Sequence, residues 1–386
     1  MAGHLLVTND FPPKTGGIQV YLCELWSRLE PGRAVVLTAS SHADATAFDA
    51  TSGVVTERVA ASTLFLPTLA NLRAIESAID RHRPDLVLFD PAWPLGLLGP
   101  HLSRPYGVIL HGAEVAVPGR VPFVASSLRY VLRHAQVAIC AGGYAEREAR
   151  RNAADDMPAV LQIPPGVDTT RFAPLDASRR GDVRRSMGLA EEGLLVSSYS
   201  RLVPRKGMDT LIRASALLRR DIPTLSVAIG GAGRDRARLE KVAMSAHAPV
   251  TFLGRVPDAQ LAPWLAASDL MVLDCRSRWL GLEQEGFGIV FLEAASSGVT
   301  QIAGQSGGSY EPVLDGVTGI VLENARSVKS LANAMGELLG DAERRRRYGD
   351  ASRSLALEKF EWGVLATRLG NALAPFDHFG ANNRLA

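Results

Sequence analysis

Short apolar runs and longer amphipathic stretches alternate along the chain. "HLLVTN" (4–9), "AVVLTA" (34–39), "LVLFD" (86–90), "YGVILHG" (106–112) and "VAICAG" (137–142) predict strands, with helix-like segments such as "VYLCELWSRL" and "LANLRAIESAIDRH" between them. That rhythm indicates βαβ units and a parallel sheet. The turn-rich segment "IPPGVDTTRFAPLD" (163–176) interrupts it and reads as a linker. The rhythm then restarts with "LLVSSYSR", "LSVAIGG", "VTFLGRV", "LMVLDC", "TQIAGQ" and "GIVLE", separated by helices such as "MDTLIRASALLRR" and "RARLEKVAMSA". The stretch "RRRRYGDASRSLALEKFEWGVLATRLGNAL" is helical in pattern. Two doubly wound α/β domains follow as the expectation, residues 1–168 and 169–359, with a helix over about 360–386 packing back on the first.

Composition narrows the classes. The 386 residues are 47% hydrophobic and 21% charged, with a net charge of +2, so a general nucleic-acid binder is excluded. Cys23, Cys140 and Cys275 lie far apart and form no CxxC pair, which argues against a disulfide framework or zinc site and fits a reducing cytosol. "MAGHLLVTNDFPP" lacks the pattern of a signal peptide, and no apolar run approaches the ~20 residues of a membrane span. The expectation is a protein in solution or resting on a membrane surface.

Four places carry candidate chemistry. In "EQEGFGIVFLEAASSG", Glu285 sits in a loop and Glu293 about one turn into a helix that stops before Gly298. Gly286 and Gly288 let backbone N–H groups approach a ligand, and two carboxylates around them suit a phosphorylated polyol. Alternatively, Glu293 only complements the helix dipole. In "SSYSRLVPRKGMDTL", Arg201 and Lys206 are placed to clamp a diphosphate, or else form a solvated basic turn. Gly16 and Gly17 fall between the first strand and its helix, where amides meet phosphates. His111 ends a buried strand at the carboxyl edge, as a ligand contact or a structural histidine. "VAIGGAGRDRARLE" imitates a dinucleotide fingerprint but lacks its third glycine and its acidic partner, so no NAD site is expected. The chain contains no D-x-D triplet and no histidine–carboxylate cluster, so cations rather than a metal are expected to neutralise a leaving phosphate.

Taken in order, "FPPKTGGIQ", "HGAEV", "PPGVDTTRF", "SRLVPRKG", "GGAG", "FLGRV", "EGFGIVFLE", "SGGSYEPV" and "DGVTG" resemble a family 4 glycosyltransferase of the GT-B fold over nearly the whole chain. Within that family the spelling is similar to actinobacterial GDP-mannose-dependent phosphatidylinositol mannosyltransferases. The resemblance implies two Rossmann-like domains facing across a cleft, and retaining transfer of mannose from GDP-mannose to a phosphatidylinositol mannoside, with an α-1,6 linkage. It implies that Arg201 and Lys206 bind the diphosphate and that Gly16–Gly17 cap it. Glu293 would hold the ribose, and Glu285 the sugar hydroxyls, with the N–H groups of Phe287, Gly288 and Ile289 around them. His111 would sit near the reacting sugar, and Val256 and Asp258 at the base pocket. The leaving phosphate would take the acceptor's proton, with no protein nucleophile, no metal and no further cofactor.

The loop "CRSRWLGLEQEGFG" departs from the family pattern, with Trp279 and Leu280 in place of a glycine-rich stretch. A lipid acceptor also implies contact with an anionic membrane surface at the cytoplasmic face. Candidates are Leu64, Phe65 and Leu66 with Arg73, Arg81 and Arg83, and the segment carrying Arg120, Arg129 and Arg133; ordinary amphipathic helices are the alternative. Two other readings stay open at this stage: a family 4 transferase with another nucleotide sugar or a soluble acceptor, and a non-enzymatic two-domain sugar-binding protein.

Overall fold

The structure is a computed structural model that describes residues 2–39, 44–60 and 63–378. The chain divides into two compact units, one formed by residues up to Pro165 together with those from Trp362 onward, the other by Gly166–Glu361.

The first unit holds seven strands: β1 His4–Thr8, β2 Ala34–Ala39, β3 Val55–Val59, β4 Leu86–Asp90, β5 Tyr106–Leu110, β6 Val137–Cys140 and β7 Ala159–Gln162. They form one sheet in the order β3-β2-β1-β4-β5-β6-β7, every pair parallel. Side chains alternate between two cores. Leu5, Val7, Val87 and Phe89 enter one, while Leu6, Leu86 and Leu88 enter the other. Burial on both faces is why these strands read as unbroken apolar runs. The edge strands β3 and β7, with the sequences VTERV and AVLQ, are only partly covered and were not anticipated from the hydrophobic pattern.

The helix Trp362–Asp377 belongs to this unit and lies against the helix Gly17–Trp26. A buried charge cluster pins it. Arg33 donates to both Asp377 oxygens at 2.9 and 3.0 Å, and His4 Nδ1 lies 3.1 Å from Asp377 Oδ2. Trp26 Nε1 donates to His4 Nε2 at 2.9 Å, which leaves the His4 proton on Nδ1, facing Asp377. Burial lowers the His4 pKa, in keeping with a neutral ring.

The second unit holds β8 Leu194–Tyr199, β9 Leu225–Gly230, β10 Val250–Gly254, β11 Leu270–Leu273, β12 Gln301–Gly304 and β13 Gly319–Leu322, in the order β10-β9-β8-β11-β12-β13, again all parallel. Residues 163–176 contain no regular element. The boundary between units falls inside that stretch, and Val167 and Phe172 are buried in the second core. The charged helical stretch near the end is three pieces: a helix Ala342–Leu355, a π-turn Ala356–Phe360 and the helix Trp362–Asp377.

Each sheet has a point where strand order reverses. β1 sits between β2 and β4, and β8 sits between β9 and β11. At such points the connections leave toward opposite faces and a crevice opens at the carboxyl ends of the strands. Every candidate side chain lies on a connection that leaves one of these ends.

Candidate functional site

In the second unit, the turn after β8 carries Arg201, Arg205 and Lys206, and the long connection after β11 carries Glu283 and Glu285. Lys206 Nζ lies 2.9 Å and Arg205 Nε 3.3 Å from the same Glu285 oxygen. Arg205 also reaches Glu283 at 3.6 Å, and Arg278 holds Glu283 from its other side at 2.7 Å. Burial pushes the Glu285 carboxyl up, but Lys206 and Arg205 together outweigh it and hold the group below the ordinary glutamate value. Glu285 is therefore a carboxylate at neutral pH, with its two cations fixed beside it. Lys206 is buried in that pair, so the alternative of a solvated basic turn does not describe it.

Arg201 is exposed and lines a pocket of about 560 Å³ together with Tyr199, Gly231, Val256, Asp258, Val290 and Glu293. This volume suits a small ligand. Glu293 is half-buried in the helix Ile289–Ser296, beyond its first turn, so the helix-dipole alternative has little hold on it. Burial pushes its carboxyl up to about 7, with Arg171 pulling it down and Asp258 pushing it up by less. A carboxyl held in that state gains most from a ligand that offers it hydroxyl donors.

Asp258, at the start of the helix Asp258–Ala266, is largely solvent-facing and is held by Arg171 at 2.8 Å. Gly288 precedes the helix Ile289–Ser296, whose first-turn amides have no side-chain cap. Its φ of −95° is open to any residue, so space sets the requirement: a Cβ there would fall 2.4 Å from the Ser309 carbonyl. Gly231 has φ +134° and a Cβ would fall 1.8 Å from the Ser200 carbonyl, and at Gly233 a Cβ would fall 2.2 Å from the Leu202 carbonyl, which accounts for these two glycines of the false dinucleotide signature.

In the first unit, the ends of β1, β4 and β5 converge. Thr8 Oγ1 donates to Asp90 Oδ2 at 2.7 Å, and His111 Nε2 lies 2.7 Å from Asp90 Oδ1. Burial lowers the His111 pKa, but Asp90, with Glu114 and Asp10 behind it, outweighs burial and leaves the value raised. The Tyr21 ring stands edge-on to His111 at 5.4 Å, and Glu114 accepts from the His111 and Gly112 amides. His111 is thus an oriented imidazole biased toward its protonated form. Gly16 is extended at φ 160°, and Gly17 starts a helix with no side-chain cap. Asp10 pairs with Lys14 and accepts from Gln19 at 2.6 Å in the same connection.

The structure thus gathers Arg201, Val256, Asp258 and Glu293 at one pocket and Lys206 with Glu285 in a charge cluster of the same unit. Gly16, Gly17 and His111 lie in the first unit. Sequence reasoning missed Asp90, Arg171, Arg205 and Glu283. Arg205 stood inside a motif already singled out, while Asp90 was hidden as the last letter of an apolar strand. One expectation is corrected: Leu64 is fully buried, although Phe65 and Leu66 are exposed. Its neighbours point outward because the side chain of Leu64 turns into the core on the sheet face shared by Leu5 and Phe89. Among the described residues, no group of three or more His, Cys, Asp or Glu is placed to hold a metal ion, and no helix is long and apolar enough to cross a membrane. All three cysteines are free.

Residues 15–171 match the family described as Glycosyltransferase Family 4, and residues 180–355 match Glycosyl transferases group 1. The chain is 37% identical to the GDP-mannose-dependent alpha-(1-6)-phosphatidylinositol monomannoside mannosyltransferase of Mycolicibacterium smegmatis, over 96% of this chain and 98% of that protein. It is 38% identical to the Mycobacterium tuberculosis protein of the same name, over 97% and 98%. Among solved structures, Anabaena HepE in complex with UDP superposes with a TM-score of 0.79 at 20% identity, over 97% of this chain and 100% of that one. That likeness concerns the fold, which is GT-B.

Proposed function

Because the chain belongs to glycosyltransferase family 4, we propose that it transfers mannose from GDP-mannose, with retention, to a phosphatidylinositol monomannoside through an α-1,6 linkage. The observation that carries the reading is similarity at 37–38% identity along nearly the full length of enzymes with that donor and that class of acceptor in their names. Membership of the family removes the alternative of a non-enzymatic sugar-binding protein.

The second unit takes the nucleotide sugar. Its pocket receives the nucleoside: Glu293 accepts from ribose hydroxyls, while Val256 and Asp258 meet the base. Arg201 and the Arg205–Lys206 pair face the diphosphate, and charge that develops on the departing phosphate is stabilised by cations already in position. Fixed cations avoid the reorganisation that water would undergo, so no metal is required for this step. Glu285, ionised and held from one side by its cations, accepts from hexose hydroxyls. The uncapped amides of residues 287–289 donate to sugar and phosphate oxygens.

In the first unit, His111 is oriented by Asp90 to donate to a sugar oxygen, and Gly16–Gly17 offer amides to phosphate. As the C1–O bond to the diphosphate breaks, the acceptor hydroxyl oxygen bonds to C1 on the same face. Its proton passes to the departing phosphate oxygen, giving GDP and the dimannoside. The acceptor requires a peripheral position on the inner membrane face. Exposed Phe65, Leu66 and Leu69, with Arg73 on the helix Leu69–His82 and Arg83 at its end, support that position, whereas Arg81 is already paired with Glu57. Arg120 and Arg129 support it less, because Glu148 and the Asn152 carbonyl already hold them.

The test is a donor-by-acceptor assay. GDP-mannose, UDP-glucose and UDP-N-acetylglucosamine are offered with phosphatidylinositol and with its monomannoside, and the product linkage is read by NMR. Efficient transfer from a UDP-sugar, with none from GDP-mannose, would overturn the donor assignment.

A further inference from the structure

We propose that the turn at Trp279–Leu280 is a membrane-inserting tip of the second unit, seated at the headgroup–acyl boundary of an anionic lipid surface. The inference rests on the lipid-acceptor reading above for its biological setting, but its observations are separate. Trp279 is 61% exposed and Leu280 fully exposed, with Leu282 half out beside them. Both tip residues have left-handed backbones, at φ +48° and +55°, a conformation that side chains with a Cβ resist. A chain that only needed to turn here would place glycine at these positions.

The turn is also built to hold that shape. Arg278 and Glu283 exchange backbone hydrogen bonds at 3.0 and 3.2 Å, and their side chains pair at 2.7 Å. The Arg278 guanidinium lies 4.7 Å from the centre of the Trp279 ring. Glu283 continues to Arg205, so the tip is rooted in the charge cluster that contains Glu285. Apolar side chains are thereby presented outward on a clamped base, where water gains nothing from them.

The chemistry of the tip selects the occupant. An indole combines an apolar body with one N–H donor and favours membrane interfaces. Arg326 is exposed, donates to the Ser277 carbonyl at 3.1 Å and makes no ion pair among the described residues, which leaves a cation beside the base of the turn for an anionic headgroup. Two or three adjacent side chains cover far less than the ~1,000 Å² that a specific protein interface needs. A lipid surface asks for no such area.

Trp279 reports on its own position. Of the five tryptophans, Trp26, Trp264 and Trp362 are buried and Trp93 is half-buried, so iodide in water reaches chiefly Trp279. Vesicles of phosphatidylcholine with phosphatidylinositol should reduce iodide quenching several-fold, and vesicles brominated on the acyl chains should quench the same emission. The double variant Trp279→Ser, Leu280→Ser should co-sediment with these vesicles at least tenfold less than wild type, and Trp279→Phe should retain most binding. Unchanged iodide access with vesicles, or wild-type sedimentation of the double variant, would overturn the proposal. So would iodide protection that rises with protein concentration in lipid-free buffer, which would identify a second copy as the partner. Transfer to a deacylated, water-soluble monomannoside is measured without vesicles. Failure there with Trp279 still entering vesicles would sink the proposed reaction and leave the tip supported.

Discussion

Two charge clusters in this protein use the same cast, a carboxylate between two basic side chains, to opposite ends. Asp377 with Arg33 and His4 is buried, and its bonds turn the carboxylate toward Arg33 and His4 of the same unit. Glu285 with Lys206 and Arg205 lies on connections beside the strand-order reversal of the second sheet, in the unit that carries the pocket, and Glu285 and Arg205 remain partly open to solvent although Lys206 is buried. Burial raises both carboxyl pKa values, but the hydrogen bonds from His4 and Arg33 outweigh it at Asp377 and the Lys206 and Arg205 charges outweigh it at Glu285, so both are depressed. The difference is what remains to be bonded. A cluster that satisfies itself fastens a helix; a cluster with a side left open is prepared for a ligand. Ionisation state alone does not tell these apart, but burial and location do.

The open cluster carries the largest expected effect. Glu285→Gln, which removes a charged acceptor, and Lys206→Ala, which removes a cationic donor, are each expected to lower turnover about 100-fold or more, with melting temperatures close to wild type. Wild-type turnover in both would remove the assigned role. For the closed cluster the pattern reverses. Asp377→Asn leaves Arg33 buried without its counter-charge and is expected to cost about 3–5 kcal/mol in denaturant unfolding, with turnover per folded molecule retained. The Asp377 pKa is lowered in the fold, so the stability it contributes is present above the ordinary aspartate value and is lost as pH falls through the lowered one. Wild-type protein should therefore show acid lability that Asp377→Asn lacks.

Glu293 differs from both clusters in the direction of its pH dependence. Its carboxyl is raised to about 7, so the charged form is disfavoured in the empty protein and stability is lost as pH rises from the ordinary glutamate value toward 7. Glu293→Gln should raise the melting temperature at pH 8 and change it little at pH 4. Hydroxyl donors of a bound nucleoside favour the carboxylate, so binding should tighten with rising pH and release a proton near pH 6–7. Calorimetry in buffers of different ionisation enthalpy reads that proton, and Glu293→Gln should abolish it. The smallest expected effect is that of EDTA, which should leave turnover unchanged; loss of activity restored by manganese would contradict neutralisation by side chains.

How much of this was legible in the sequence follows from what each feature depends on. The buried parallel strands announce themselves because both faces are apolar, and "LVLFD" or "LMVLDC" are too short for a helix and alternate with helix-like stretches. β3 and β7 did not, since an edge strand with one wet face loses that signal. The motif around Arg201, Lys206, Glu285 and Glu293 was visible as residue types at spacings, but the Lys206–Glu285 pairing was not, because it depends on β8 and β11 lying side by side. Arg33 and Asp377 were silent for the same reason, separated by most of the chain. Leu64 misled because three adjacent apolar letters do not reveal which one turns inward.

The return of residues after Glu361 to the first unit has a consequence for synthesis. On the ribosome, everything that the second unit needs has emerged before the helix that completes the first. The half made first must therefore wait, with Arg33 and His4 lacking their counter-ion and the flank of the helix Gly17–Trp26 uncovered, while the half made later can already close. A nascent chain stalled just short of Trp362 would expose that flank to chaperones.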